Sequence, residues 1–195
     1  MRVITGKSKG NKLIAPKGLH TRPTSDKVKE SIFNILGDIN NESQVLDLYA
    51  GSGNIGIEFL SRGVSRCYFI DNDINSIKSI KENLERTRLV AQAFVYKNTA
   101  EKAVNTLSLR GIAFDYIFLD PPYEKGILVP IIEKISNSNI LDERGIIIVE
   151  HESKLVLPEY INNLIKKDLR KYGGTTISFY IYGRLNNEGD LSGDF

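Results

Sequence analysis

Val45-Leu-Asp47-Leu-Tyr49-Ala-Gly51-Ser-Gly53-Asn-Ile-Gly56 decides the fold. The first half is a short apolar run broken by one acid, the pattern of a strand buried on both faces. The second half fits G-x-G-x-x-G at the point where that strand turns into a helix over 54–62. Glycines there let a ligand approach the backbone, and the helix N-terminus favours negative charge.

Working outward, a second strand over 66–70 closes on Asp71, and a helix follows with Ile74, Ile77, Ile80 and Leu84 on one face. A third strand covers 93–96, a helix 99–109 and a fourth strand 115–119, which ends in Asp120-Pro121-Pro122-Tyr123. A helix through 131–135 and a fifth strand at 146–149 come next, then a helix over 158–165 and two closing strands, 169–172 and 176–182. Such alternation specifies an α/β fold, a mostly parallel sheet with helices on both faces. Gly173-Gly174-Thr175 is too short for a parallel crossover, so the last strand runs antiparallel to the one before it.

Ahead of the body, residues 2–5 and 12–15 read as a hairpin around the basic turn Gly6-Lys-Ser-Lys-Gly10. Thr21-Arg22-Pro23-Thr24 leads into a helix that Ser25 or Thr24 can cap, with Val28, Ile32, Ile35 and Leu36 on one face and Gly37 as its stop. The expected organisation is a basic hairpin and helix over 1–37, a catalytic domain over 38–184 and a flexible tail over 185–195.

Hydrophobic residues make up 41% of the 195 residues and charged residues 26%, enough apolar material for a core. The single cysteine, Cys67, and two histidines, His20 and His151, exclude a disulfide framework and make a metal centre unexpected. No apolar run could span a bilayer, and the N-terminus lacks the apolar core of a secretion signal, so a soluble cytoplasmic protein without a membrane partner is expected. Net charge is only +2, yet residues 1–29 hold eight bases against one acid, Asp26. Such an arm suits a polyanion, though solvated basic termini are also common.

The discriminating residue beside the glycine loop is Asp47. A pyrophosphate at the loop would be repelled by it, whereas S-adenosylmethionine brings an ammonium and a sulfonium. Asp47 either draws that ammonium or buttresses the loop through backbone N–H groups; in both cases a carboxylate in an apolar strand needs a partner. Asp71 stands at the ~20-residue distance at which an acid meets ribose hydroxyls.

Asp120 and the Pro121 carbonyl can accept the two hydrogens of an exocyclic base amine and so aim its lone pair at a methyl group. Pro121 and Pro122 offer no competing N–H, and Tyr123 supplies a flat face for an unstacked base. Asp-Pro alone is equally a common turn opener.

With these segments in view, residues 1–183 resemble the bacterial small-subunit ribosomal RNA guanine-N2 methyltransferases that modify guanine 966 of 16S RNA. The likeness rests on Arg2-Val-Ile-Thr-Gly6, Lys12-Leu-Ile-Ala-Pro16, Thr21-Arg-Pro-Thr24, the stretch Asp26–Asn34, the glycine loop, Asp120–Tyr123 and Val149-Glu-His-Glu152. It implies a Rossmann-like class I fold with a seven-stranded sheet, S-adenosylmethionine as cofactor, and 16S RNA in the 30S subunit or a late assembly intermediate as substrate. It further implies that Asp120, Pro121, Pro122 and Tyr123 hold the guanine. Asp47, Tyr49, Gly51, Ser52 and Gly53 would hold the cofactor, together with Asp71, Asn72, Asn98 and Thr99. Arg2, Lys7, Lys9, Lys12, Arg22 and Lys27 would meet RNA, lysine standing at several positions where such proteins often have arginine.

Asn98 could equally cap a helix, and Arg22 could face the cofactor, RNA phosphate or solvent. Cys67 is expected to pack in its strand, and His151 to cap a turn with no role in proton transfer. A monomer is expected. The same four residues at 120–123 would also serve an adenine-N6 DNA methyltransferase, although such enzymes usually carry a target-reading insertion that 195 residues leave no room for. An inactive RNA-binding module with the same fold is the third reading.

Overall fold

The computed structural model describes residues 1–16, 24–122, 126–185 and 191–192, which fall in two compact units, Met1–Ala100 and Glu101–Phe195. In the first unit the alternation becomes three parallel strands, β1 (Gln44–Leu48), β2 (Arg66–Asp71) and β3 (Ala93–Lys97), in the order β3-β2-β1. Val45, Leu46 and Leu48 are fully buried, as a two-faced parallel strand requires.

The crossovers are α2 (Asn54–Arg62) and α3 (Ile74–Thr87). A side chain at Gly56 would collide with the Phe69 ring and Cys67 Sγ, so this glycine lets α2 lie close on β2. Cys67 is buried there as expected. Asp73 caps α3 by accepting the Asn75 N–H at 3.1 Å. Ile77, Ile80 and Leu84 are buried, but Ile74, expected on the same face, is 47% exposed. It is the first residue of the helix, ahead of the turns that pack.

The helix after the hairpin, α1 (Asp26–Leu36), is capped by Ser25, whose Oγ accepts the Val28 N–H at 3.3 Å. Its buried face is Val28, Lys29, Ile32 and Phe33, not one running on to Ile35 and Leu36. Phe33 sets this rotation: its ring meets Phe59 edge-on at 4.7 Å, and the Arg62 guanidinium lies 4.1 Å from its centroid. The hairpin forms, with Arg2 bridged to Lys12 and the Val3 N–H donating to the Asn11 carbonyl. It is stitched to the body: Lys7 N–H donates to the Ser61 carbonyl at 2.7 Å, Ser8 Oγ to the Thr87 carbonyl at 2.8 Å, and Asn83 exchanges two bonds with the Ile14 backbone.

The second unit takes in most of α4 (Ala100–Leu109), then β4 (Phe114–Leu119), α5 (Leu128–Ser136) and β5 (Leu141–Glu152). It continues with β6 (Tyr160–Ile161), β7 (Leu164–Tyr172) and β8 (Thr175–Tyr182), in the sheet order β4-β5-β8-β7-β6. β4 and β5 are parallel, and β8 is antiparallel to both neighbours, with Tyr172 opposite Thr175 across the short connector as the sequence required.

The helix expected over 158–165 is absent. Ile161 pairs with Leu164 across Asn162-Asn163, with Asn162 in the left-handed region at φ 52°. That hairpin adds β6, so among the described residues β1–β3 and β4–β8 make eight strands where seven were expected, apart from a separate two-stranded ladder. Arg184–Leu185 (β9) pairs antiparallel with Leu191–Ser192 (β10), a short ladder within the tail.

Candidate active site

In the first unit the chain leaves β1 through a tight turn. Tyr49 takes φ 63°, followed by Gly51 at 55° and Gly53 at 75°. A left-handed tyrosine is a strained conformation of the kind that collects at ligand sites. The turn is pinned by the Ala50 N–H on the Ile70 carbonyl at 2.9 Å and the Gly53 N–H on the Ala50 carbonyl at 2.7 Å. A Cβ at Gly53 would press on Ile57, Phe69 and Ile80, whereas one at Gly51 would meet nothing closer than the Tyr49 carbonyl at 4.0 Å. The loop is packed beneath and open at Gly51, a cradle that a side chain would fill.

Two acids brace it. Asp47 is buried, and its Oδ2 accepts the Gly56 N–H at 3.0 Å. Burial, with Asp71 nearby, pushes its carboxyl up to about 8 against the opposing pull of that bond. Asp71 accepts the Gly51 N–H on Oδ2 and the Asp73 N–H on Oδ1, both at 2.8 Å. Its half-buried position raises its pKa despite these bonds. A carboxylate offers about four lone-pair directions, so Asp71 keeps room for a further hydroxyl donor.

Asn98 joins this group, its N–H donating to the Asp71 carbonyl at 3.0 Å, while its Oδ1 accepts the Thr99 N–H at 3.0 Å. The amide oxygen thus makes a cap-like bond ahead of α4. Asn72 is exposed just after β2, and Ser52 is buried with its Oγ 3.3 Å from Met1 Sδ. The first unit therefore joins Gly51, Asp71 and Asn98 in one hydrogen-bonded set, with Asp47 bonded separately to the Gly56 N–H.

In the second unit Asp120 is half-buried at the end of β4, Pro121 is buried and Pro122 exposed. Tyr123 and Arg22 lie outside the described residues. His151 is buried, with Nδ1 3.0 Å from the Glu152 carbonyl and Nε2 2.9 Å from Ser178 Oγ. A carbonyl only accepts, so Nδ1 carries the proton and Nε2 takes the serine hydroxyl. It is a packed core histidine rather than the cap of an open turn. Among the described residues, no group of His, Cys, Asp and Glu could hold a metal ion.

The basic arm is less uniform than its charge suggests. Lys7, Lys9, Lys12 and Lys27 are exposed, and exposed Arg2 pairs with Asp26 at 3.0 Å. Lys29 is fully buried and contributes no surface charge. By sequence its charge belongs to the arm, and its place between Val28 and the apolar Ile32 and Phe33 is the signal of its burial.

A strand, a glycine loop closed by an acid on the next strand, and a terminal antiparallel hairpin in the second unit define a Rossmann-like class I methyltransferase fold. The family described as "Conserved hypothetical protein 95" matches residues 1–181, and the chain belongs to it. It is 44% identical over 180 residues to YlbH of Bacillus subtilis, which carries a provisional rRNA methyltransferase name; the match spans 92% of this chain and 98% of that one. It is 31% identical over 158 residues to the Ribosomal RNA small subunit methyltransferase D of Escherichia coli K12, spanning 81% and 78%. A solved Escherichia coli structure provisionally named as the methyltransferase yhhF superposes with TM-score 0.82 at 31% identity, covering 93% of this chain and 97% of the other.

Proposed function

We propose that this protein transfers a methyl group from S-adenosylmethionine to the N2 amine of a guanine, of the guanine-966 kind, in 16S ribosomal RNA. The observation that carries the reading is the acid pair Asp47 and Asp71 around the glycine loop, with Asp71 bonded to the Gly51 N–H. A dinucleotide's pyrophosphate would meet a buried acid there; a cationic amino-acid ligand would be drawn to it. Relatives named as ribosomal RNA methyltransferases support the same substrate class.

When bound, S-adenosylmethionine supplies an electrophilic sulfonium methyl and leaves as the neutral thioether. Asp71 receives ribose hydroxyls on its remaining lone pairs. Asp47 attracts the ammonium, and Tyr49, Ser52 and Gly53 shape the loop. Asn72, Asn98 and Thr99 border the adenine. Asp120 and the Pro121 carbonyl each accept one hydrogen of the guanine amine, Pro122 stiffens the turn, and Tyr123 stacks on the base. The N2 lone pair forms the new C–N bond as the C–S bond breaks, and the proton then lost from nitrogen passes to Asp120 or water. Positioning supplies most of the rate.

Residues 1–37 serve as the RNA-binding extension, with Arg2, Lys7, Lys9, Lys12, Arg22 and Lys27 facing phosphate, and 38–184 as the methyltransferase domain. The working enzyme is a cytoplasmic monomer acting on the 30S subunit or a late assembly intermediate. No helix among the described residues is long and apolar enough to cross a membrane. Tritiated methyl transfer offered in parallel to 30S subunits from cells lacking the enzyme and to duplex DNA, followed by mapping of the labelled base, tests the reaction and its substrate. Label on a 16S guanine N2 supports the reading, and label confined to duplex DNA overturns it.

A further inference from the structure

Lys29 has no solvent exposure, yet its ammonium is fully engaged. Nζ donates to the Arg2 carbonyl at 2.7 Å, to Asn54 Oδ1 at 2.8 Å and to Glu58 Oε2 at 3.2 Å, which uses all three of its hydrogens. Glu58 is equally buried. Its Oε2 also accepts the Ile4 N–H at 2.8 Å, and its Oε1 accepts the Thr5 N–H at 3.0 Å and Arg62 Nε at 3.2 Å. Asn54, the first residue of α2, donates from Nδ2 to the Thr24 carbonyl at 3.2 Å. One ammonium thus joins the hairpin's first strand, α1 and the first turn of the glycine-loop helix.

Stability alone does not call for this arrangement. Burial pulls the Lys29 pKa down while Glu58 holds it up, and replacing such a buried pair by packed apolar side chains is often neutral or stabilising. What the pair supplies is direction: each bond fixes a named backbone or amide group. The hairpin's first strand pairs with its second through Val3 with Asn11 and Gly10, and Ser61 Oγ donates to the Thr5 carbonyl at 2.6 Å. Glu58 and Lys29 add a hold from inside the unit, on the Ile4 and Thr5 N–H groups and the Arg2 carbonyl.

We propose that Lys29 and Glu58 are positioning residues that couple polyanion binding at the hairpin to cofactor binding at the glycine loop. The inference rests on the functional reading above for what each end binds. RNA phosphates held by Lys7, Lys9 and Lys12 restrain the strand carrying the Arg2 carbonyl and the Ile4 and Thr5 N–H groups. That strand restrains Glu58 and Lys29, and Lys29 restrains Asn54, next to Gly53. Linkage makes the effect reciprocal: the factor by which cofactor tightens RNA equals the factor by which RNA tightens cofactor.

The test uses the full chain, a short fluorescein-labelled uridylate RNA at low salt, and S-adenosylhomocysteine. In the wild type, saturating S-adenosylhomocysteine should tighten RNA binding about five-fold by anisotropy, and RNA should tighten S-adenosylhomocysteine by the same factor in calorimetry. Lys29→Met, Glu58→Gln and Asn54→Ala, each checked for native circular dichroism, should bring that factor to about one with S-adenosylhomocysteine affinity in the absence of RNA within about two-fold of wild type. Asn54→Ala removes the loop end of the chain of bonds together with the Thr24 contact, leaves the Lys29–Glu58 pair in place, and decides the matter if the charge variants do not fold. Equal RNA affinity with and without S-adenosylhomocysteine in the wild type overturns the coupling, as does full coupling in Asn54→Ala. A wild type that binds no S-adenosylhomocysteine, or no RNA, discards the functional reading itself and the coupling with it, a result distinct from binding both independently.

Discussion

Asp47 is held between two demands, burial that favours its neutral form and a Gly56 N–H that favours its charge, and burial prevails. With its carboxyl near 8, the ligand-free protein carries Asp47 mostly protonated at neutral pH. A ligand ammonium reverses the balance, so binding should release a proton. Affinity for S-adenosylhomocysteine is expected to rise as pH climbs from about 6 and to level off above about 8. Calorimetry in buffers of different ionisation enthalpy reads the proton directly, and Asp47→Asn should abolish both the release and the slope. A proton count of zero in the wild type would remove the ammonium from Asp47. The second residue-scale expectation concerns Asp120. Asp120→Ala should lower single-turnover methyl transfer by about 10²-fold or more while S-adenosylhomocysteine affinity stays within about two-fold, since the acid orients the amine and not the cofactor. Unimpaired turnover would take the amine away from Asp120.

At the scale of elements, the glycines of one loop separate packing from function. Gly56→Ala should destabilise by about 1–3 kcal/mol, because the methyl must displace the buried Phe69 ring and Cys67 Sγ. Gly51→Ala meets no packed atom but sits at φ 55°, so it should cost only about 1 kcal/mol and show its main effect as weakened cofactor binding. Thermal melts beside calorimetry separate the two, and equal losses of stability would contradict the close approach of α2 to β2. The hairpin is tested by salt: each of Lys7→Ala, Lys9→Ala and Lys12→Ala should shallow the logarithmic salt dependence of single-stranded RNA binding by about 0.7. An unchanged slope would take that lysine off the phosphate path.

The whole molecule shows which of these features a sequence carries openly. The strand–loop–helix at 45–62 was legible because its constraints are local: glycines at fixed offsets, an apolar run before them and an acid at the end of the next strand. The region 158–165 was not. Leu157, Ile161, Leu164 and Ile165 recur at helical spacing by coincidence, and the turn chemistry of Asn162-Asn163, which won, occupies only two residues. Lys29 misled for a related reason, since a charge reads as solvated until its acceptors, drawn from positions 2, 54 and 58, are brought to it by folding.

The same contrast governs stability against pH. His151 is buried and neutral, facing Ser178 Oγ and the Glu152 carbonyl; burial lowers its pKa below 6.5, with a smaller contribution from the Lys166 charge. Its stabilising contribution is complete above about pH 6.5 and is lost as pH falls through the folded-state pKa, because the unfolded chain takes up the proton first. Asp47, shifted upward, acts in the opposite sense and costs stability as pH rises toward 8. Urea midpoints of wild type and His151→Gln should therefore differ most above about pH 6.5 and draw together as pH falls below it, whereas Asp47→Asn should gain on wild type as pH rises toward 8. A His151→Gln difference that does not change with pH would mean that the histidine contributes through packing and hydrogen bonding alone, and that its ionisation is not linked to folding.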